Sequence, residues 1–160
     1  MACKLRVLYV EDSELDRDLF LRDISKEVVS GYLEVDWRAS LEECRADNEC
    51  DVILLDLNLP HTRGVDTVRA CRKIYPHKPI IVLTGRDDSE VKSDVVKAGA
   101  NGCFSKHSQS GLVVLQQSIE EALVSKISKE EREASNAMKH HRQSLSKVRK
   151  TLEELIHRLT

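Results

Sequence analysis

Short apolar runs alternate along this chain with longer segments in which apolar residues recur at helical spacing. Five of the runs have the length and composition of β-strands and are bounded by turn or charged residues. They are Leu5–Val10, Leu33–Ala39, Val52–Leu57, Ile80–Thr84 and Gly102–Ser105. The first, third and fourth of these runs are almost continuously apolar, which is typical of strands buried on both faces of a parallel sheet.

The segments between the runs carry signals for helices. Ser13 with Asp16, and Ser40 with Glu43, each place a possible N-cap hydroxyl before an acidic first turn. Farther along, aliphatic residues recur at helical spacing at Val65, Val68, Ala70, Ile74, Val91, Val95 and Val96. Strands that alternate with helices predict an α/β fold, here a doubly wound (βα)5 domain with a five-stranded parallel sheet of the flavodoxin-like type. Such domains bind ligands beyond the carboxyl ends of their strands.

The composition of the chain changes after about residue 124. Residues 125–160 hold nine Lys or Arg and five Glu, a net charge of +4 in a chain whose net charge is −2. They contain no glycine, proline or aromatic residue. We therefore divide the chain into a globular domain, residues 1–124, and a helical tail, residues 125–160, in which the last helix of the domain continues.

Apolar residues in the tail follow the alternating three- and four-residue spacing of a coiled coil. The clean part of this seam consists of Leu145, Val148, Leu152, Leu155 and Leu159. A long helix with one apolar stripe and no core of its own favours a partner helix, so we predict a parallel homodimer through the last helix and the coil. Two alternatives remain: a tail packed on its own domain, and a basic nucleic-acid-binding arm. Interleaved Glu and the lack of aromatic residues for base stacking disfavour the second, so no direct DNA binding is expected.

Composition narrows the cellular setting. No stretch approaches the about 20 apolar residues that span a bilayer, and Arg6 and Glu11 interrupt the early apolar run that a signal peptide would need. The five cysteines are scattered and never spaced as a CxxC pair. This pattern is typical of reduced thiols, so we expect a cytoplasmic protein without a membrane partner.

Acidic and oxygen-bearing side chains follow the predicted strands. The first strand is followed by Glu11 and Asp12, and the third ends in Asp56 with Asn58 two residues on. Clustered carboxylates repel one another unless they are protonated or share a cation, and oxygen ligands suit Mg²⁺. A carboxylate such as Asp56 can also act as a nucleophile and form an aspartyl-phosphate.

Two further strand ends supply groups for an anionic ligand. Thr84 ends the fourth strand and is followed by Gly85, whose missing side chain leaves room for a phosphoryl group. Lys106 follows the fifth strand and would balance negative charge on that group. Taken singly, each of these residues is more often a helix cap, a turn residue or a solvated lysine.

Taken together, the segments VEDS (10–13), LLDLNLP (54–60), VLTG (82–85) and KAGANGCFSK (97–106) resemble the CheY-like receiver domain of two-component response regulators. The resemblance covers about residues 5–122. It implies that Asp56 accepts a phosphoryl group from a phosphohistidine on a sensor kinase or phosphotransfer protein. Glu11, Asp12, Asp56 and the Asn58 carbonyl would hold Mg²⁺, while Thr84 and Lys106 would bind phosphoryl oxygens. Phosphorylation would alter the surface of the fourth helix, fifth strand and fifth helix.

The chain departs from the family pattern in the fifth strand, within the surface that phosphorylation is expected to alter. Cys103 occupies the position that is usually aromatic, and Phe104 follows where the family has a buried apolar strand residue. We expect Phe104 to pack in the core. The resemblance also implies regulatory roles for Gly85, Arg86, Cys103 and Phe104. Asn58 and Arg86 occupy the positions, two residues beyond Asp56 and Thr84, that tune the lifetime of the phosphoryl group in this family.

These observations favour a signalling switch that is not an enzyme beyond its own phosphorylation and dephosphorylation. One alternative is a phosphohydrolase of the haloacid-dehalogenase type, which also uses a strand-end Asp, Thr, Lys and Mg²⁺. That class places its nucleophile on the first strand, whereas here an acidic pair comes first and Asp56 lies on the third. A second alternative is a receiver and signalling helix from a larger output enzyme, such as a nucleotide cyclase.

Overall fold

The structure, a computed structural model, describes residues 4–25, 33–85, 89–106 and 109–159. The chain divides into two compact units, Met1–Leu123 and Val124–Thr160. Among the described residues, none of the helices combines the length and the apolar character that crossing a bilayer requires.

A five-stranded parallel sheet forms the centre of the first unit, which confirms the predicted α/β fold. Its strands lie in the order β2-β1-β3-β4-β5, so the chain changes direction across the sheet after β2. Their bounds are β1 Leu5–Val10, β2 Leu33–Arg38, β3 Val52–Asp56, β4 Ile80–Thr84 and β5 Gly102–Ser105. Every residue of β3 is buried. The carboxyl ends of β1 and β3 lie side by side at the change of direction, where this fold class binds ligands.

Helices follow four of the five strands. They are α1 Glu14–Ser25, α2 Val65–Ile74, α3 Ser89–Lys97 and the long α4 Gln109–Leu159. The predicted cap of α1 is confirmed, because the backbone N–H of Asp16 donates to the Ser13 hydroxyl over 3.2 Å. This bond satisfies one of the free donors at the start of α1.

The helix predicted to start at Ser40 is only one 3₁₀ turn, Leu41–Glu43. The Ser40 side chain makes no capping hydrogen bond, and the backbone becomes extended again at Cys44. A turn follows at once, since the Asn48 side chain accepts a hydrogen bond from the Arg45 N–H over 2.8 Å. Side chains that bond to nearby backbone in this way compete with helix formation.

A short β-hairpin, Asn58–Leu59 paired with Thr62–Arg63, follows β3 directly. The Leu57 carbonyl accepts the Gly64 N–H over 2.8 Å and the Thr67 hydroxyl over 2.9 Å. Gly64 has a φ of +59°, a conformation that glycine adopts without the penalty of a side chain. These bonds fix the path of the chain immediately after Asp56.

Arg72 on α2 joins the loops at the other end of the sheet. Its guanidinium donates to the carbonyls of Gly99, Tyr75 and Lys78 and to the Asn101 side chain over 2.5–3.2 Å. Sequence pattern does not predict this role, because Arg72 lies in a charged helical segment like many others.

The described residues of the second unit, which end at Leu159, are helical and expose apolar side chains to solvent. Its large apolar residues that are exposed, among those described, are Val124, Met138, Leu145, Val148 and Leu152. Leu145, Val148 and Leu152 belong to the predicted seam, and the same heptad register extended upstream reaches Met138 and Val124.

Candidate functional site

The polar residues at the strand ends come together at the carboxyl edge of the sheet. Glu11, Asp12 and Asp56 each place a carboxylate oxygen within 4.8 Å of the other two. Glu11 and Asp56 are buried, with only 1% and 7% of their surface exposed, whereas Asp12 is open to solvent. The cluster therefore combines two desolvated carboxylates with one that faces water.

Lys106 supplies the positive charge of this cluster from the end of β5. Its ammonium lies 3.2 Å from Asp56 Oδ1 and also donates a hydrogen bond to Glu11 Oε2. A third carboxylate, Asp16 in the first turn of α1, lies 3.4 Å from the same nitrogen. One ammonium is thus shared by three carboxylates, so negative charge remains in excess around it.

Burial disfavours the charged forms of Asp56, Glu11 and Lys106 and is the largest single influence on their pKa values. It raises the pKa of Asp56 above its usual value, although Lys106 and the Asn58 backbone N–H act in the opposite direction. Burial likewise raises the pKa of Glu11 against the effect of Lys106. Burial alone would lower the pKa of Lys106, but the hydrogen bond to Glu11 and the charge of Asp56 outweigh it and raise that pKa.

Backbone hydrogen bonds hold the first acidic pair in place. The Glu11 N–H donates to the Arg38 carbonyl over 3.0 Å and thereby extends the pairing of β1 with β2. The Glu11 carboxylate accepts the Ser13 N–H over 3.1 Å. Trp37 on β2 donates its indole N–H to the Glu11 carbonyl over 2.8 Å.

The donor set fits a hard divalent cation. Three carboxylates with oxygens this close offer the ligand type that Mg²⁺ prefers, and their repulsion would be relieved by a shared ion. Asp12 and Asn58 both line an open depression beside the hairpin, so the cluster is accessible from solvent.

The remaining predicted site residues lie at the ends of β4 and β5. Thr84 is buried as the last residue of β4, and its carbonyl accepts the Lys106 N–H over 2.8 Å. Gly85 follows at an exposed bend. Arg86 lies outside the described residues.

Cys103 and Phe104 occupy opposite faces of β5. Cys103 packs against the main core cluster. Phe104 is half-buried and pairs in register with the buried Leu83 of β4, so the two share a face of the sheet. A thiol therefore occupies the core-facing position that the family pattern gives to an aromatic ring.

Sequence reasoning missed two residues that touch the cluster, Asp16 and Trp37. The sequence pattern places Asp16 in the acidic first turn of α1 and Trp37 within the second predicted strand, Leu33–Ala39, and indicates no further role for either. Their contacts depend on how α1 and β2 pack beside β1, which sequence spacing does not specify. The proximity of Asp16 to the Ser13 cap was the one available signal.

The sequence model of the family described as "Response regulator receiver domain" matches residues 7–120. The chain belongs to this family. Its members are receiver domains of two-component systems, and they act in general as signalling switches and not as catalysts. The match does not favour the phosphohydrolase or output-enzyme alternatives.

Individual relatives agree with the family assignment. The chain is 28% identical over 116 residues to the transcriptional regulatory protein DegU of Brevibacillus brevis, which covers 69% of this chain and 48% of DegU. It is 30% identical over 102 residues to the response regulator MprA of Mycolicibacterium vanbaalenii, covering 64% and 44% of the two chains. The chain thus spans about half the length of these curated relatives.

Solved structures agree on the receiver fold. The structure of chemotaxis protein CheY4 from Vibrio cholerae superposes with a TM-score of 0.59 at 28% identity. The aligned region covers 73% of this chain and 99% of that one.

Proposed function

We propose that this receiver domain accepts a phosphoryl group on Asp56 and passes the change to its C-terminal helix. The observation that supports this most is the placement of Lys106 between Asp56 and Glu11 beside a solvent-facing carboxylate, Asp12. A nucleophilic carboxylate, a fixed cation and a set of metal ligands are the parts that phosphoryl transfer requires.

In the proposed reaction an Asp56 carboxylate oxygen attacks the phosphorus of a phosphohistidine on a sensor kinase or phosphotransfer protein. The P–O bond forms as the P–N bond breaks, and the bonding electron pair leaves with the imidazole nitrogen. The product is an acyl phosphate on Asp56 and an imidazole in the donor protein. Hydrolysis by water later returns the carboxylate and inorganic phosphate.

Glu11, Asp12, Asp56 and the Asn58 carbonyl would hold Mg²⁺ in this scheme. The ion, when bound, neutralises charge on the transferring phosphoryl oxygens. Lys106 already contacts Asp56, so its ammonium is placed to pair with a phosphoryl oxygen at that position. The Thr84 hydroxyl would donate a hydrogen bond to another oxygen, and Gly85 would leave room for the group.

The new dianion would draw Thr84 towards Asp56 and change the surface formed by α3, β5 and α4. Because Cys103 stands where the family has an aromatic residue, the switch would work without a ring that rotates at this position. Phe104 would pack beside Leu83 on the opposite face of β5, while Asn58 and Arg86 would set the lifetime of the phosphoryl group.

We propose further that the tail, residues 125–160, joins two copies of the chain in a parallel coiled coil attached to the receiver, residues 1–124. The exposed apolar side chains of the second unit lie along one seam, and a second copy would bury that seam on both helices. Charged residues elsewhere on the helix, such as Arg149 and Glu153 in an ion pair of 2.9 Å, stay solvated in this arrangement.

The cytoplasm is the proposed location of the protein. The described cysteines, Cys44, Cys50, Cys71 and Cys103, form no disulfide bond with one another, which suits a reducing compartment. Direct binding to DNA or to a membrane forms no part of the proposal.

Incubation of the purified chain with acetyl phosphate and Mg²⁺ tests the proposed chemistry, with intact mass as the readout. We expect a mass gain of one phosphoryl group that requires Mg²⁺ and is absent in Asp56→Asn. Asp66→Asn is a matched control, since Asp66 is exposed on α2 and pairs at the surface with the exposed Arg69. A wild-type chain that gains no mass with a competent donor would contradict the proposal.

A further inference from the structure

Trp37 contacts the backbone of the acidic cluster from a neighbouring strand. It is the only tryptophan of the chain and lies on β2, in register with Tyr9 of β1. Its indole N–H donates to the Glu11 carbonyl over 2.8 Å. That carbonyl belongs to the peptide unit that joins Glu11 to Asp12, two members of the carboxylate cluster.

The peptide units on both sides of Glu11 are therefore tied to β2. The Glu11 N–H donates to the Arg38 carbonyl, and the Glu11 carbonyl accepts from Trp37. A peptide unit is planar, so fixing its carbonyl also fixes the direction in which the next residue leaves. The Trp37 hydrogen bond thus restricts where Asp12 lies relative to Glu11.

Arg17 of α1 covers a face of the Trp37 ring. Its guanidinium lies 4.2 Å from the centroid of the Trp37 ring, a cation–π contact. The Arg17 N–H donates to the Ser13 carbonyl over 3.0 Å in the first turn of α1. The indole is thus contacted by α1 on a ring face and by the Glu11 carbonyl at its N–H.

We infer that Trp37 is a positioning residue for divalent cation binding, with Arg17 as its support; this rests on the proposed magnesium site. Mg²⁺ demands near-ideal octahedral geometry, so ligands must be held at defined separations. Neighbouring carboxylates repel one another, and a peptide unit free to rotate would let Glu11 and Asp12 move apart. The hydrogen bond from Trp37 opposes that rotation before the ion arrives. Partners that orient metal ligands commonly change metal affinity by about 10–100-fold when they are removed.

Two measurements on the full chain test this role. The first is calorimetric titration with Mg²⁺ of the wild type, of Trp37→Phe and of Tyr75→Phe. Trp37→Phe removes the donor and keeps a ring under Arg17, and we expect its Mg²⁺ affinity to fall by about tenfold. Tyr75→Phe is the matched control, because it removes another aromatic donor, 3.0 Å from Asn48, away from the acidic cluster. Its Mg²⁺ affinity should equal that of the wild type.

The second measurement needs no substitution. Trp37 emission in the wild type should change with Mg²⁺ and follow the same binding curve as the calorimetry. Constant emission while calorimetry records binding would overturn the inference, as would a folded Trp37→Phe variant with wild-type Mg²⁺ affinity. Either result would leave the proposed function intact. A wild-type chain that binds no Mg²⁺ would instead contradict the proposed magnesium site and the inference with it.

Discussion

Lys106 Nζ lies 3.2 Å from Asp56 Oδ1, which joins the residue after β5 to the last residue of β3 across the intervening strand β4. The same ammonium donates to the buried Glu11 carboxylate. Lys106 therefore compensates two charges that folding removes from water. This relationship makes the stability of the domain and the chemistry of the site depend on the same side chain.

Replacement of Lys106 by Met should destabilise the protein at neutral pH. The variant leaves Glu11 and Asp56 buried without a cation, and loss of one partner from a buried ion pair costs about 3–5 kcal/mol. We expect the loss in the free energy of unfolding to lie near the lower end of that range, since Asp12, beside the two buried carboxylates, is exposed to water. Urea unfolding in the presence of a chelator measures it.

Lys97→Met is the matched control for this prediction, because Lys97 is an exposed residue at the end of α3. Its free energy of unfolding should stay within about 0.5 kcal/mol of the wild-type value. Equal losses in the two variants would mean that Lys106 does not compensate the buried carboxylates.

The pH dependence of stability follows from the raised pKa values of Glu11 and Asp56. Each group binds its proton more readily in the folded state than in the unfolded state, where the pKa is about 4. Their contribution to stability is thus present at acid pH and is lost as pH rises through the folded-state pKa. Without Mg²⁺, Asp56→Asn should therefore be more stable than the wild type at pH 7, by about 1.4 kcal/mol for each unit of pKa shift that it removes.

Urea unfolding of both proteins in chelator, from pH 7 down towards pH 4, measures this difference. The gap between Asp56→Asn and the wild type should narrow as pH falls. A gap that stays constant over this range would show that Asp56 does not titrate in it.

The strands could be predicted because each is marked by a local run of residues in the sequence. The predicted bounds of β1, β4 and β5 agree with the structure, and those predicted for β2 and β3 extend one residue too far at the carboxyl end. Burial on both faces makes β1, β3 and β4 visible in sequence as apolar runs, whereas the edge strand β2 shows the alternation of a strand with one exposed face. The Ser40 signal predicted a helix and was wrong in extent, because the Asn48 turn ends the segment after one 3₁₀ turn.

The contacts that surround the site are less accessible to sequence reasoning. Spacing and family resemblance identify Glu11, Asp12, Asp56 and Lys106 as site residues, since each lies at the end of a strand or shortly after it. Asp16 reaches Lys106 from a helix, however, and this depends on the packing angle of α1. Long side chains that meet across elements leave no periodic signal.

The hydrogen bonds of Arg72 to the loops at the amino end of the sheet should stabilise the fold, and substitution of Arg72 tests this. Arg72→Lys keeps the charge but replaces a planar fork of five donors with one ammonium, so several carbonyls lose their partner. We expect the free energy of unfolding to fall by about 2 kcal/mol or more. Arg69→Lys on the same helix serves as control, because Arg69 pairs at the surface with Asp66 and should change stability by less than about 0.5 kcal/mol. Equal effects would refute the proposed role of Arg72.

Association of the tail should depend on its apolar seam. Leu152→Glu puts a charge where the proposed partner helix packs, and we expect the dimer dissociation constant to rise at least about tenfold, which corresponds to 1.4 kcal/mol. Lys150→Glu changes the charge on the same turn away from the seam and should leave association nearly unchanged. Sedimentation equilibrium of the full chain compares them. A wild type that is monomeric at all accessible concentrations would contradict the coiled-coil proposal.

The identity of the phosphorylated residue tests the central claim most directly. After reaction of the wild-type chain with acetyl phosphate and Mg²⁺, borohydride reduces an aspartyl-phosphate to homoserine, and peptide mass spectrometry locates the change. We predict homoserine at position 56 and aspartate unchanged at positions 12 and 16. Homoserine at another position, or a phosphoryl group that resists borohydride as a phosphoserine would, would contradict the account.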